Sequence, residues 1–338
     1  MSPRRQPQVT IADIAREAGF ADSTVSRALN NSPLISEETK ARIREVAKRL
    51  KYRPDLHAQG LARGQSSMIG VLIPDLGGTL LTGVIEGVEE ALERANRRVM
   101  LLHSRWDFAT ERDHFAFLQS SRIHGAIVCP IRNPGEAELL AKLQSEGFCI
   151  VLVDRYYPEL NLSHVVTDNE LGGRLAAEHL LKRRPRRFAF LTIPESEETT
   201  ATQGRLDGFL ATLREAGLPE SSVQMVRFDL MEEARQGFPS LDRLVSQTPL
   251  PEAVFAVNDS YALGLHQAMH RRGLTLSEIN LVGFDHVQML AFVPMPWSAV
   301  AQPRHEIGRR AAEILLEMLE KGADHVVHET LAPKLIIR

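Results

Sequence analysis

Thr10-Ile-Ala-Asp-Ile-Ala-Arg-Glu-Ala-Gly19, followed by Asp22-Ser-Thr-Val-Ser-Arg-Ala-Leu-Asn30, is the stretch that decides how this chain folds. Ile11, Ile14, Ala15 and Ala18 recur at helical spacing before Gly19, and Val25, Ala28 and Leu29 recur after it, so two short amphipathic helices meet at a glycine turn. Thr10 and Asp13 stand at capping-box spacing, which satisfies orphan amides and marks where the first helix starts. Helices this short do not persist alone. A third helix, opened by Ser36-Glu-Glu-Thr39, offers Ile43, Val46, Ala47 and Leu50 as the surface that covers both. It must end before Pro54, which disfavours helical geometry at Arg53.

A helix-turn-helix places the start of its second helix against base edges in the major groove, which here presents Asp22 and Ser23, with Arg27 one turn on. Arg27 suits a bidentate grip on guanine, and Asp22 would accept from cytosine. Thr24, Ser26 and Asn30 are short hydrogen-bonding residues suited to phosphate oxygens, which set register without reading sequence.

The chain resembles the LacI/GalR family of bacterial transcription regulators. Val25-Ser-Arg-Ala-Leu-Asn30, Ser36-Glu-Glu-Thr39, Tyr52-Arg-Pro54 and Leu61-Ala-Arg-Gly64 follow in family order, and Ile69-Gly-Val-Leu-Ile-Pro-Asp75, Val257-Asn-Asp259, Val282-Gly-Phe-Asp285 and Gln302-Pro303 carry the likeness onward. The resemblance implies a DNA-binding domain over 1–53, to which Thr10 and Tyr52 also contribute contacts, and a hinge helix over 54–64 that orders on operator binding. Leu61 would be the apolar wedge inserted into the minor groove, bending the duplex. Residues 65–338 would form an effector-binding and dimerisation domain of two doubly wound parallel-sheet subdomains, like periplasmic binding proteins. One subdomain would comprise 67–166 plus 298–327 and the other 167–297 plus 328–338, with crossovers near 166, 297 and 327. Three departures stand out. Ala21 replaces the family's serine at the start of the recognition helix, so Asp22 is either a base reader or the N-cap. Asp55 replaces the usual Asn, and Gly60 lies inside the hinge, where glycine costs a helix about 1 kcal/mol relative to alanine.

Charge separates the two parts. Residues 1–64 hold 12 Lys and Arg against 7 Asp and Glu, whereas the whole chain of 338 residues has a net charge of −3, so a basic head sits on an acidic body. The excess is too small for a non-specific DNA coater. No apolar run follows Arg4-Arg5 and no stretch of about 18 apolar residues occurs, so the expectation is a cytoplasmic, nucleoid-associated protein with no membrane role. Cys129 and Cys149 lie in apolar runs and read as core residues rather than a disulfide or zinc site. Neither a metal nor a cofactor is expected.

From Met68 onward, apolar runs at 69–73, 99–102, 126–129, 150–153, 188–193, 253–257 and 281–284 alternate with amphipathic stretches at 82–95, 172–181, 205–216 and 261–271. That alternation is the mark of βαβ units, whose open sheets bind ligands beyond the carboxyl ends of the strands. Asp75, Asp154, Arg155, Asn258 and Asp285 fall at such ends, and Arg205 matches a family position that contacts the effector. These groups suit sugar hydroxyls, or a carboxylate or phosphate. Taken singly, Asp or Asn at a strand end more often caps the next helix, the role favoured for Asp259. Gly77, Gly78, Gly172 and Gly173 do not spell a dinucleotide fingerprint. Gly77-Gly-Thr-Leu-Leu81 lacks the aromatics that family members place beside a sugar ring, leaving Trp106 or Trp297 as a stacking platform, with packing favoured for Trp297.

The functional expectation is a homodimeric repressor that binds a near-palindromic operator and is controlled allosterically by a small-molecule effector, such as a sugar, sugar derivative or small acid. The alternative is a cytoplasmic solute-binding or sugar-processing protein with the same body. It leaves residues 10–64 without a role, and no nucleophile–base pair, metal-ligand spacing or phosphate loop supports catalysis.

Overall fold

The computed structural model describes residues 9–52, 66–76, 79–195, 199–287 and 297–338. The chain divides into two compact units, 1–66 and 67–338. The segment expected to form the hinge, including Asp55, Gly60 and Leu61, lies outside the described residues, as do Gly77 and Gly78.

The first unit is three helices: α1 (Ile11–Ala18), α2 (Asp22–Leu29) and α3 (Glu37–Arg49). The capping box forms, with Asp13 N donating to Thr10 Oγ1 at 3.3 Å and Thr10 N donating to Asp13 Oδ2 at 2.9 Å. Gly19 closes α1 in the left-handed region at φ 75°, where a Cβ would be strained, and its amide reaches the Ala15 carbonyl. Ile14, Val25, Ala28 and Ile43 are wholly buried together, so each short helix is held by the other two.

The second unit holds two sheets, each six-stranded among the described residues. The first contains β1 (Met68–Ile73), β2 (Arg98–His103), β3 (Gly125–Val128), β4 (Cys149–Val153), β5 (Ser163–Thr167) and β11 (His328–Leu331), in the order β11-β5-β4-β3-β1-β2 and parallel throughout. The second contains β6 (Phe188–Thr192), β7 (Val223–Arg227), β8 (Ala253–Ala256), β9 (Asn280–Asp285), β10 (Ser298–Ala301) and β12 (Lys334–Ile336), in the order β12-β10-β9-β8-β6-β7. Only its edge pair β10–β12 is antiparallel among the described strands. Helices α4 (Thr79–Arg94), α5 (Phe108–Ser120), α6 (Pro134–Ser145) and α12 (Arg304–Lys321) accompany the first sheet. Helices α7 (Asn169–Leu181), α8 (Thr200–Glu215), α9 (Leu230–Arg235), α10 (Pro239–Leu244) and α11 (Asp259–Arg271) accompany the second.

Two expected crossovers move. Ser298–Ala301 pairs with β9, so the chain leaves the second sheet after Ala301 and not near 297. His328–Leu331 pairs with β5, so the last crossing follows Leu331 and not 327. Both shifts have one cause: a short strand is assigned to a sheet by its backbone partner, a contact distant in sequence. Trp297 is 2% exposed in the second subdomain's core, which gives it a packing role. Cys129 and Cys149 are free and buried.

Candidate functional site

The head presents its polar residues outward. Ala21 occupies the N-cap of α2 without a side-chain bond, so Asp22 is the first helical residue and the capping alternative for it is excluded. Its carboxylate remains exposed near the positive end of the helix dipole. Ser23 and Arg27 are also exposed, Thr24 and Ser26 are half-buried, and Val25 and Ala28 turn into the core. Arg16 pairs with Asp13 at 3.4 Å and Arg49 with Glu17 at 2.6 Å, whereas Arg27 has no ion-pair partner among the described residues. Two expected DNA contacts are partly engaged within the head. Asn30 Nδ2 donates to the Ser26 carbonyl at 2.9 Å, and the Thr10 hydroxyl donates to Asp13 at 2.7 Å. Tyr52 packs half-buried against the three-helix core.

In the body, a charged cluster forms where the carboxyl ends of β4 and β9 meet. Arg205 comes from α8, which lies so close to α7 that a Cβ on Gly173 would stand 2.1 Å from the Arg205 carbonyl oxygen. The residue is 4% exposed, and its guanidinium is engaged on several sides. Nε donates to Asn169 Oδ1 at 2.9 Å, Nη1 donates to the Val257 carbonyl at 2.7 Å, and Nη2 stands 3.8 Å from Asp285 Oδ1. The guanidinium also lies 3.8 Å above the Phe284 ring. Asp285 accepts from Gln302 Nε2 at 2.6 Å. Burial raises the Asp285 pKa and lowers that of Arg205, each opposed by their mutual attraction.

Asp154 and Arg155 join from the first sheet. Arg155 Nε donates to Asp154 Oδ2 at 3.0 Å, and its guanidinium stacks 5.3 Å from the Trp106 ring centroid. Trp106 is 54% exposed, so of the two tryptophans it is the one that offers a face. The Tyr156 amide donates to Thr200 Oγ1 of α8 at 3.2 Å, a direct bridge between the subdomains. Non-glycine residues with positive φ gather here: Trp106 at 60°, Asp154 at 68°, Asp285 at 93° and His286 at 51°. Such backbone strain persists only where the surroundings enforce it. Asp75 stands half-buried beyond β1.

The structure reverses one pair of roles. Asn258, expected at the effector, uses its side-chain oxygen to cap α11, accepting from Ser260 N at 3.0 Å and Tyr261 N at 3.1 Å. Asp259, expected to cap, is 1% exposed and accepts from Val287 N at 2.9 Å; burial, then neighbouring Asp285, pushes it up to about 7. The sequence reading missed Asn169, Gln302 and Phe284 as partners of the charged pair: Gln302 and Phe284 lie in motifs quoted above, but no local signal joins them, or Asn169, to Arg205 and Asp285. Burial pushes the Cys129 thiol up to about 12, so it is not a nucleophile. Among the described residues no group of His, Cys, Asp and Glu is placed to hold a metal ion, and no helix is long and apolar enough to cross a membrane.

Residues 10–55 match the model for bacterial regulatory proteins of the lacI family, and residues 177–338 match a periplasmic binding protein-like domain. The chain is 29% identical over 338 residues to the HTH-type transcriptional regulator DegA of Bacillus subtilis (strain 168), covering 98% of this chain and 97% of that protein. It is also 29% identical to the HTH-type transcriptional repressor PurR of Pectobacterium carotovorum, covering 95% of each. The lac repressor dimer bound to operator and the anti-inducer ONPF superposes with a TM-score of 0.84 over 98% of both chains at 22% identity, a likeness of fold.

Proposed function

From the premise that this chain is a LacI-family regulator, with a lacI-type helix-turn-helix domain and a periplasmic binding protein-like domain, we propose that it is a homodimeric repressor reading a near-palindromic operator. The observation that carries this reading is the outward face of α2, where Asp22, Ser23 and Arg27 stand exposed on a helix whose other face is buried. A recognition helix needs that division. Thr10, Thr24, Ser26, Asn30 and Tyr52 set its register on phosphates, and Leu61 supplies the minor-groove wedge.

The junction of the two subdomains is the effector site, with Asp75, Asp154, Arg155, Arg205 and Asp285 as its polar groups. Its carboxylates accept from hydroxyls, its guanidinium groups donate, and Trp106 supplies an apolar face. A sugar, sugar derivative or small acid fits that chemistry. An effector binding more tightly to one arrangement of the subdomains would shift operator affinity by at most that difference in free energy. The solute-binding or sugar-processing alternative leaves the exposed face of α2 without a role.

The test has two stages. Operator sequences selected from a random pool should contain two inverted half-sites, giving a mobility shift that excess unrelated duplex does not compete away. A thermal-shift screen of sugars, sugar phosphates and small acids should then find a compound that also alters that shift. Selection that enriches no inverted repeat would reject the dimeric repressor; a stabilising compound with no effect on operator affinity would reject the regulatory junction.

A further inference from the structure

Glu136, at the start of α6, is completely buried and organises the backbone around it. Its Oε1 accepts from Ile131 N at 3.1 Å, and its Oε2 accepts from Asn133 N at 3.4 Å and from the Tyr157 hydroxyl at 2.5 Å. Glu111 of α5 is 1% exposed beside it, and its Oε1 has no hydrogen-bond partner. The nearby cation, Arg132, is exposed. Two adjacent buried carboxyl groups, neither of them in an ion pair among the described residues, do not both ionise at neutral pH. Burial, reinforced by Glu136, pushes Glu111 up to about 9, which leaves it protonated and able to donate to its neighbour.

We propose that Glu111, Glu136 and Tyr157 form a proton-holding latch that positions loops 129–133 and 154–157, and through them the bridge between the two subdomains. The connections are short. Cys129 Sγ lies 3.9 Å from Asp154 Oδ2, so the two loops touch at the charged cluster. Tyr157, held by Glu136, is adjacent to Tyr156, whose amide reaches Thr200 on the helix carrying Arg205. Ionising Glu111 places a second negative charge against Glu136 inside the first subdomain, and the cheapest relief is to release Tyr157 and its loop. The facing charged and titratable groups are Glu111 of α5, Glu136 of α6, Tyr157 after β4, and Cys129 and Arg132 after β3, with Asp154 and Arg155 on the far side of Cys129.

Hydrogen–deuterium exchange of the whole chain, without effector or operator, tests this separately from the proposed regulation. Peptides covering 129–133 and 154–157 are compared near pH 7 and near pH 10, with times scaled for intrinsic exchange. In the wild type both should exchange roughly tenfold faster at the higher pH, beyond that scaling. Glu111→Gln, neutral at both pH values and still a donor, should abolish the rise. Tyr157→Phe should speed 154–157 at both. A wild-type pH response in Glu111→Gln would overturn the latch, and so would unchanged protection of 154–157 in Tyr157→Phe. If Tyr157→Phe does not fold, the near-isosteric Glu111→Gln still decides the matter.

Discussion

The head and the body treat charge in opposite ways. On α2, Arg27 is exposed with no ion-pair partner among the described residues, whereas in the body Arg205 is 4% exposed and engaged by Asn169, Val257, Asp285 and Phe284. The partner proposed for the head is itself highly charged, so its side chains need no internal complement and lose little by waiting in water. The small effector proposed for the body could not reorganise buried charges cheaply, and the body's groups are already held in place. A recognition residue in the head should therefore be separable from stability, and one in the body should not.

Arg205→Ala is the strongest attempt to break that contrast. It strips a buried pair of its cation and should cost the body about 3–5 kcal/mol in urea denaturation, against almost nothing for Arg27→Ala. A loss near zero would mean that the cluster is not preorganised. Arg27→Ala should instead reduce discrimination at one base pair per half-site by about 1–3 kcal/mol, measured by mobility shift on operator variants, with the melting temperature unchanged.

Acid should also separate the two units. Residues 9–52 contain no histidine, whereas in the body His164 is stacked between Tyr156 and His328, with ring centroids 4.2 and 4.3 Å away. Burial, then neighbouring His328, lowers His164 from 6.5 to about 4. A base with a depressed folded pKa stabilises above its unfolded value, so this contribution is present above 6.5 and lost as pH falls toward 4. His164→Phe retains a ring without the titration and should spare the body about 1–2 kcal/mol of that loss. Circular dichroism in urea at successive pH values reads it, and an acid limb as steep as the wild type's would exclude His164 as its source.

The smallest expected effect has the opposite sign. Ala21→Ser supplies the side-chain cap that α2 lacks and should stabilise the head by about 1 kcal/mol, visible as slower exchange of the α2 amides. A change confined to the body would mean that the effect does not come from capping α2.

Legibility followed the same division. The first-unit helices were readable because their signals are local: Thr10 with Asp13, Gly19, and the periodic Ile14, Val25 and Ile43. The apolar strands were equally plain, but β5, β7, β10 and β11 escaped: each mixes polar with apolar residues or small ones, and β7 and β11 are only partly buried at sheet edges. Helices α5, α6, α9, α10 and α12 were missed as well. At α12 the start signal is weak, because Pro303 precedes it without a side-chain cap. In the junction, Asp154, Arg155, Arg205 and Asp285 were nominated by motif and strand position. Asn169 and Gln302 were not, since their importance arises only when distant segments converge on Arg205 and Asp285. The inversion at Asn258 and Asp259 has a similar origin: which of two adjacent polar residues faces a helix end depends on a backbone angle that composition does not encode.

Three strands of chain join the two sheets, after Thr167, after Ala301 and after Leu331, and the last two each contain a proline, Pro303 and Pro333. Thr167 donates to Gln302, and Gln302 in turn donates to Asp285. Mechanically, three tethers side by side leave one lobe little freedom beyond rocking about a common axis, and the polar chain ties two tethers to a carboxylate at the mouth. If the proposed effector engages Asp285, it pulls on the axle itself, and a small ligand would then have leverage over both lobes.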